Sequence, residues 1–313
     1  MVMFLLRRVL AGLVLVLVVA TLTFALLNLT GTDAARNILG ENATPEQAAA
    51  EAATLGMNRP LPVRYWDWLS HAVRGDLGTS WFKGEAVTSS LASTLPITLS
   101  LALAGLLLSA LLSVGLGTAA AVRGGRLDRA IQFLAVLSSA APSFLVGLLL
   151  AVTVAVKLRW LPATGYVSFT DSAGGWLRSI TLPAIALAIA ATGGTAQQVR
   201  GSLIDVLGSE YIRLLRSRGI SERRVVFKHA LRNAAPAGLT VLSLQFIGLI
   251  GGAVIIEKIF GLPGVGSLAN FSAVQGDQPV VLGVVVVTAA IVVLVNLLID
   301  IAYGWLNPKV RAA

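Results

Sequence analysis

The sequence predicts an all-α integral membrane protein with six transmembrane helices, and three observations carry that prediction. The 313 residues are 56% hydrophobic and 12% charged, where a soluble domain carries about 25% charge. Six uncharged runs reach the ~20 residues that cross a bilayer as a helix: 9–29, 96–122, 130–156, 180–199, 234–256 and 279–299, the last continuing past Asp300 to about Leu306. Segments of about 10 residues with period-2 alternation, the mark of a membrane barrel, are absent. Lipid offers the backbone no hydrogen-bond partner, so the apolar runs must be helical.

The elements follow in chain order. Arg7 and Arg8 precede the first run, which exceeds the roughly 7–15 residues of a secretory signal core and reads as a retained span. Residues 31–95 hold a helix with Thr44 as N-cap, Pro45 in the first turn, Gln47 completing a capping box and Gly56 as the stop. A loop with Pro60 and Pro62 leads to a short aromatic helix around Tyr65, Trp66 and Trp68. A segment this long is a structured cap rather than a turn. Pro142 sits in the middle of the third span and removes one backbone bond, which kinks the helix. Ser138, Ser139 and Ser143 nearby either satisfy the freed carbonyls or line a polar path; Ser138, Ser139 and Pro142, with Gln245 of the fifth span, are the candidate path residues. Gly105, Ser109 and Ser113 in the second span, and Gly248, Gly251 and Gly252 in the fifth, permit close helix contact. Trp160 and Trp305 fall at span ends, where aromatic anchors sit.

Residues 200–233 form a charged loop between two spans. Ser209 is placed to cap a helix running from Glu210 to about Arg218, and Gly219 supplies the left-handed residue that ends it. Ser221 then caps a second short helix, with Glu222 at its positive N-terminal end. A basic helix of this kind either lies on anionic lipid headgroups or docks into a protein. The tight corner with Ile220 exposed favours insertion into a protein cleft.

Charge placement orients the chain. Six spans put both termini on one side. Fifteen of the 24 Lys and Arg then fall with the termini, the 123–129 turn and the 200–233 loop, against four acids. The positive-inside rule makes that side cytoplasmic. Topology thus accounts for the net charge of +9, and no nucleic-acid partner is needed.

Several chemistries lack their residues. With no cysteine, there is neither a disulfide framework nor a thiolate metal site. His71 and His229 lie on opposite sides of the membrane, and Asp300 reads as the one intramembrane ionisable residue, a helix-packing partner before a coupling group. None of the five lysines sits in a Gly-Lys-Ser/Thr phosphate loop. Any ATP-driven motor is therefore a separate polypeptide, and no catalytic residue, metal or cofactor is assigned to this chain.

Four stretches resemble one family. They are Tyr211-Ile212-Arg213 with Arg216-Ser217-Arg218-Gly219; Lys228-His229-Ala230-Leu231-Arg232-Asn233; Glu257-Lys258-Ile259-Phe260-Gly261-Leu262-Pro263-Gly264-Val265-Gly266; and Asn307-Pro308-Lys309-Val310-Arg311. Together with Leu55-Gly56-Met57-Asn58-Arg59-Pro60-Leu61 and Gly75-Asp76-Leu77-Gly78-Thr79-Ser80, they resemble the dipeptide/oligopeptide/nickel branch of binding-protein-dependent ABC importer permeases, in its "B"-type subunit. Gly219 takes the place of the glycine of that family's EAA loop, with Arg213, Leu214 and Leu215 where Glu-Ala-Ala stands, His229 for Ile and Arg232 for Pro. The resemblance implies a type I importer permease fold in a bacterial inner membrane, segmented as residues 1–30, 31–95, 96–306 and a 307–313 tail. It implies a homologous second permease, two ATPase subunits that bind ATP and Mg, and an extracytoplasmic solute-binding protein. It implies ATPase coupling through Glu210, Arg213, Arg216, Arg218, Gly219, Ile220, Ser221 and Glu222, the arginines pairing with acids on the partner. Tyr65, Trp68, Asp76 and Trp81 are the expected binding-protein contacts. The expected cargo is a di- or oligopeptide, with nickel chelates or another small solute as the alternative. An ion-driven carrier using Asp300 and a scaffold without transport are the rival classes.

Overall fold

The computed structural model describes residues 2–29, 34–40 and 42–306. The Asn307–Arg311 stretch and the 307–313 tail, the side chain of Trp305, and residues 31–33 and 41 of the 31–95 segment lie outside the described residues. Thirteen α-helices run through the described part, and its one β feature is an isolated bridge between Thr79 and Ala86. The order is α1 (Val2–Leu29), α2 (Ala34–Leu39), α3 (Pro45–Thr54), α4 (Leu61–Ala72), α5 (Val87–Arg123), α6 (Gly125–Ala140), α7 (Ser143–Leu150), α8 (Ala173–Leu207), α9 (Glu210–Ser217), α10 (Glu222–Arg224), α11 (Leu231–Ile259), α12 (Val265–Gln275) and α13 (Gln278–Leu306). Wider π turns at Ala151–Lys157 and Val225–Ala230 continue α7 and join α10 to α11.

Five helices are each long and apolar enough to cross a membrane, and α6 with α7 and its π extension form a sixth, bent candidate. The helices overrun the apolar runs. α5 has 37 residues and α8 has 35, about 50–55 Å at 1.5 Å per residue against a hydrocarbon core of ~30 Å. Polar residues end an apolar run but not a helix, which needs only satisfied backbone bonds.

The third run departs most from expectation. A kink at Pro142 was expected; the helix is instead broken there and turns by 97°. Proline disfavours the helical conformation in the residue before it. Ala141 accordingly sits at φ −77°, ψ 118°, and Pro142 follows at ψ 135°. Two consecutive extended residues cannot propagate a helix.

The chain forms two compact units. The first comprises Met1–Ile97 and Pro263–Leu294, the second Thr98–Leu262 and Val295–Ala313. In the first unit, Leu77, Val87, Leu91, Val265, Leu268, Val280 and Val284 form a buried cluster. In the 31–95 segment the capping box forms as expected: Gln47 N donates to Thr44 Oγ1 (3.3 Å) and Thr44 N to Gln47 Oε1 (2.9 Å). Gly56, at φ +70°, ends that helix.

In the second unit α8 is central, the most deeply buried of the long apolar helices. Glycines let neighbours approach it. A Cβ on Gly193 would lie 2.1 Å from the Ala135 carbonyl oxygen of α6, and one on Gly117 of α5 would lie 2.7 Å from the Ala196 carbonyl of α8. The Arg200 guanidinium of α8 grips the Asp128 carboxylate of α6 through Nε and Nη2. Bidentate pairing of this kind fixes orientation as well as charge.

Candidate functional site

The 200–233 stretch is less of a loop than its charges suggest. α8 carries on to Leu207, and the chain is helical again from Glu222 through the π turns into α11. The expected second short helix is therefore the first turn of a helix that runs to Ile259. Between them α9 stands as a separate eight-residue helix.

α9 has two faces set by its own spacing. Ile212 and Leu215, three residues apart, are buried together with Val199, Leu203, Val225, Val226, Ala230 and Ala234. Burying two such side chains contributes roughly 1.5–3 kcal/mol each. Glu210, Arg213, Leu214, Arg216, Arg218, Ser221 and Glu222 are exposed. Tyr211 Oη and His229 Nδ1 meet at 2.9 Å and tie α9 to the π turns.

The corner after α9 is built on Gly219, at φ +74°. Gly219 N donates to Arg216 O (2.9 Å) and Ile220 N to Leu215 O (3.2 Å). These are the two bonds of a Schellman termination, whose residue after the glycine packs back on the helix. Ile220 does so: it is half-buried against the Leu215 cluster, a correction to its expected exposure. The expected capping roles of the serines also fail. Ser209 Oγ donates to Val206 O (2.7 Å) instead of capping α9, and Ser221 makes no side-chain cap bond. Arg216 is engaged within the chain, through Nε to Glu222 Oε1 (2.6 Å) and Nη2 to Oε2 (3.2 Å). That clip closes the corner and leaves Arg213 and Arg218 as the outward cations of α9 and its cap.

Each expected contact residue of the 31–95 segment also has a place within the chain. Tyr65 faces α1: its ring meets Phe24 edge-on at 5.2 Å, and its hydroxyl meets Thr21 Oγ1 at 2.5 Å. Asp76 Oδ1 accepts from Gly78 N (2.9 Å). The Trp81 backbone N–H donates to Asp277 Oδ1 (3.2 Å), and Ser80 Oγ donates to Asp277 Oδ2 (2.5 Å). Trp68 and Trp81 line one pocket of 260 Å³. Leu61, Val63 and Trp66 are the exposed large apolar residues of α4.

Two of the candidate path residues join helices. Ser138 Oγ donates to Ile189 O of α8. Gln245 bridges α8 and α11, accepting from Thr195 Oγ1 (2.9 Å) and donating to Ala191 O. Ser139 and Pro142 are exposed at the break.

Sequence reasoning missed Glu257. It is fully buried in α11 and accepts from Thr98 Oγ1 at 2.5 Å, so Asp300 is not the sole acid in a candidate span. A charge ends an apolar run, and the 234–256 run stops one residue short of it. The signal lay in Glu257-Lys258-Ile259-Phe260, whose first residue is the buried one.

Comparison with known proteins settles the family. Residues 112–312 match the family described as "Binding-protein-dependent transport system inner membrane component", and residues 1–102 match its N-terminal counterpart. The chain belongs to this family. The permease is 39% identical over 307 residues to a protein of Brucella abortus (strain 2308) named as a peptide transport system permease, with 98% of both chains covered. It is 35% identical over 309 residues to a peptide ABC transporter permease protein of Sinorhizobium fredii, covering 98% of this chain and 99% of that one. It is 36% identical over 309 residues to the glutathione transport system permease protein of Salmonella typhimurium, with 98% of both covered. The permease is therefore a multi-pass membrane protein with the importer fold that the sequence predicted, the membrane subunit of an ABC transport system.

Proposed function

We propose that this permease imports di- or oligopeptides, that it has no ATPase site of its own, and that α9 is the surface on which a separate ATPase acts. The relatives' names support the cargo, two from peptide systems and one from a glutathione system, glutathione being itself a short peptide. The single observation that carries the coupling role is the build of α9: a short helix with a basic outer face, seated on an apolar cluster shared by the ends of α8 and α11. A force on α9 reaches both long helices through Ile212 and Leu215 rather than being lost in a flexible loop.

The working complex then holds this chain, a homologous second permease, two ATPases that carry ATP and Mg, and a solute-binding protein outside the cell. Both termini and α9 face the cytoplasm, and the 31–95 segment faces the binding protein. Closure of the ATPases on ATP shifts α9 with the helix ends, and the path alternates between its two openings. Such coupling requires contacts that differ between the two states.

The chain contains no cysteine, so a single Leu214→Cys variant offers one thiol beside the exposed arginines. Co-expressed with its ATPases, it is expected to form a cross-link to an ATPase subunit with a short bifunctional reagent. A thiol that reacts only with lipid-soluble reagents and never with an ATPase would count against docking.

A further inference from the structure

Helix α4 of the first unit has two faces, and the chain covers only one of them. Arg64, Asp67 and His71 recur at helical spacing on one side and line the 260 Å³ pocket together with Gln278 and Pro279 of α13. Pro62, Trp66 and Leu69 recur with the same spacing on the opposite side, which therefore points away from that pocket. Pro62 is exposed, Trp66 is 70% exposed and Leu69 is half-buried, while Val63 at the edge of this face is 45% exposed. No residue of α4 is fully buried.

The contacts of α4 with α1 fix its level in the bilayer. The Tyr65 hydroxyl meets Thr21 Oγ1 at 2.5 Å, its ring meets Phe24 edge-on at 5.2 Å, and Arg64 Nη1 donates to Asn28 Oδ1 at 3.1 Å. The stretch Leu6–Leu29 of α1 is long and apolar enough to cross a membrane. At 1.5 Å per residue, Thr21 lies roughly 12 Å and Phe24 roughly 8 Å inside the C-terminal end of that helix, and Asn28 lies at the end itself. One tyrosine side chain spans the gap to both, so α4 crosses α1 at the rim of the apolar layer and not above it in open water. Leu22, Leu26 and Leu29 of α1 are exposed at the same level, which gives this depth an apolar surface on both helices. A helix that is charged on one face and apolar on the other, with tryptophan on the apolar side, is built to lie in the membrane interface, sunk ~5–10 Å into the boundary between headgroups and acyl chains. The charges of α4 are compatible with that seat, because Arg64, Asp67 and His71 stay on the pocket side. Arg74 and Asp76, exposed just past the helix, keep its C-terminal end toward water.

We propose that the face of α4 carrying Pro62, Val63, Trp66 and Leu69 is seated in phospholipid, in the membrane interface at the C-terminal end of α1, and that it anchors the 31–95 segment to the bilayer. The occupant of this face is lipid, not a second protein. Only the choice of leaflet, the outer one, rests on the topology proposed above.

The test places an environment-sensitive fluorophore on Trp66→Cys, Val63→Cys or Arg74→Cys of the cysteine-free chain, in liposomes of phosphatidylcholine and phosphatidylglycerol. Each is read as the full chain alone and as the complete complex, and two sites on the face are used so that the loss of one variant to misfolding leaves the other. Spin-labelled phosphatidylcholine is expected to quench the Trp66→Cys and Val63→Cys labels, more strongly with the nitroxide near the glycerol end of the acyl chain than near its terminal methyl. Aqueous iodide is expected to quench them several-fold less than the Arg74→Cys label. Iodide quenching equal to that of Arg74→Cys would overturn the proposal, since the face would then lie in water. Labels shielded from both quenchers in the complete complex, or on addition of the solute-binding protein, would overturn it by showing a protein cover. Lipid quenching at Trp66→Cys, with iodide reaching the Arg74→Cys label only in inside-out vesicles, would support the lipid seat and defeat the topology alone.

Discussion

Two adjacent glycines of α8 show how much one methyl group can decide. A Cβ on Gly193 would sit 2.1 Å from a backbone oxygen, whereas one on Gly194 meets nothing within 4 Å. Gly193→Ala should therefore push α6 off α8 and destabilise the fold by about 1–3 kcal/mol, the usual overpacking range. Gly194→Ala should be neutral or stabilising by up to ~1 kcal/mol through helix propensity. Thermal unfolding in detergent, monitored by circular dichroism, checks both, and similar shifts for the two would refute the close approach. The sequence pointed instead to Gly105 and to Gly248, Gly251 and Gly252. Of these, Gly248 and Gly251 face open space. A glycine in an apolar helix looks the same whether it faces a neighbour or nothing, because its rotational position depends on helix packing that the sequence does not display. Glu257 was hidden for the opposite reason. Its charge argued for an exterior position, and only the fold supplies Thr98 as its donor.

At the scale of elements, α9 is seated by its inner face, and the proposed coupling role assigns its outer face to a partner. Leu215→Ala removes a buried side chain of the α8–α9–α11 cluster and should cost about 2–5 kcal/mol, the range for large-to-small core changes. Limited proteolysis should then cut faster at the bends around Gly208 and Gly219. Leu214→Ala, at a residue 52% exposed, should change stability by no more than ~0.5 kcal/mol while weakening association with the ATPases in a co-purification assay. Equal proteolytic sensitivity of the two variants would mean that α9 is not seated as described. The helix itself, its start at Glu210 and its end at Gly219 were legible, because glycine termination depends on local backbone geometry alone. The inward turn of Ile220, the Arg216–Glu222 clip and the idle capping serines were not. Each is decided by which alternative partner lies closer in space. The 97° break at Ala141–Pro142 was half legible: proline marks the place, but only the structure reveals that two residues leave the helix rather than one hydrogen bond.

For the whole molecule, the fold class followed from composition and run length, since an apolar chain of this length has few alternatives to a helical bundle. The grouping of the chain into units did not follow. Residues 263–294 belong with the N-terminal unit, and no local pattern announces that pairing. The orientation inferred from charge leads to a direct prediction. In the cysteine-free background, Arg218→Cys should react with a membrane-impermeant maleimide only in inside-out vesicles, and Val73→Cys, at a residue 81% exposed, only from the outer face of spheroplasts. The reverse pattern would invert the topology and remove α9 from any cytoplasmic ATPase.

The coupling role proposed for α9 is tested most directly at its corner. Gly219 has open space where a Cβ would go and a φ of +74°, so Gly219→Val alters the backbone without a steric clash, straining the turn by roughly 1–2 kcal/mol. Peptide uptake and ATP hydrolysis should be measured together in proteoliposomes holding the complete complex. The expected result is a complex that still assembles and hydrolyses ATP at a basal rate but loses cargo stimulation and most of its uptake. Wild-type uptake and wild-type stimulation in Gly219→Val would contradict the account.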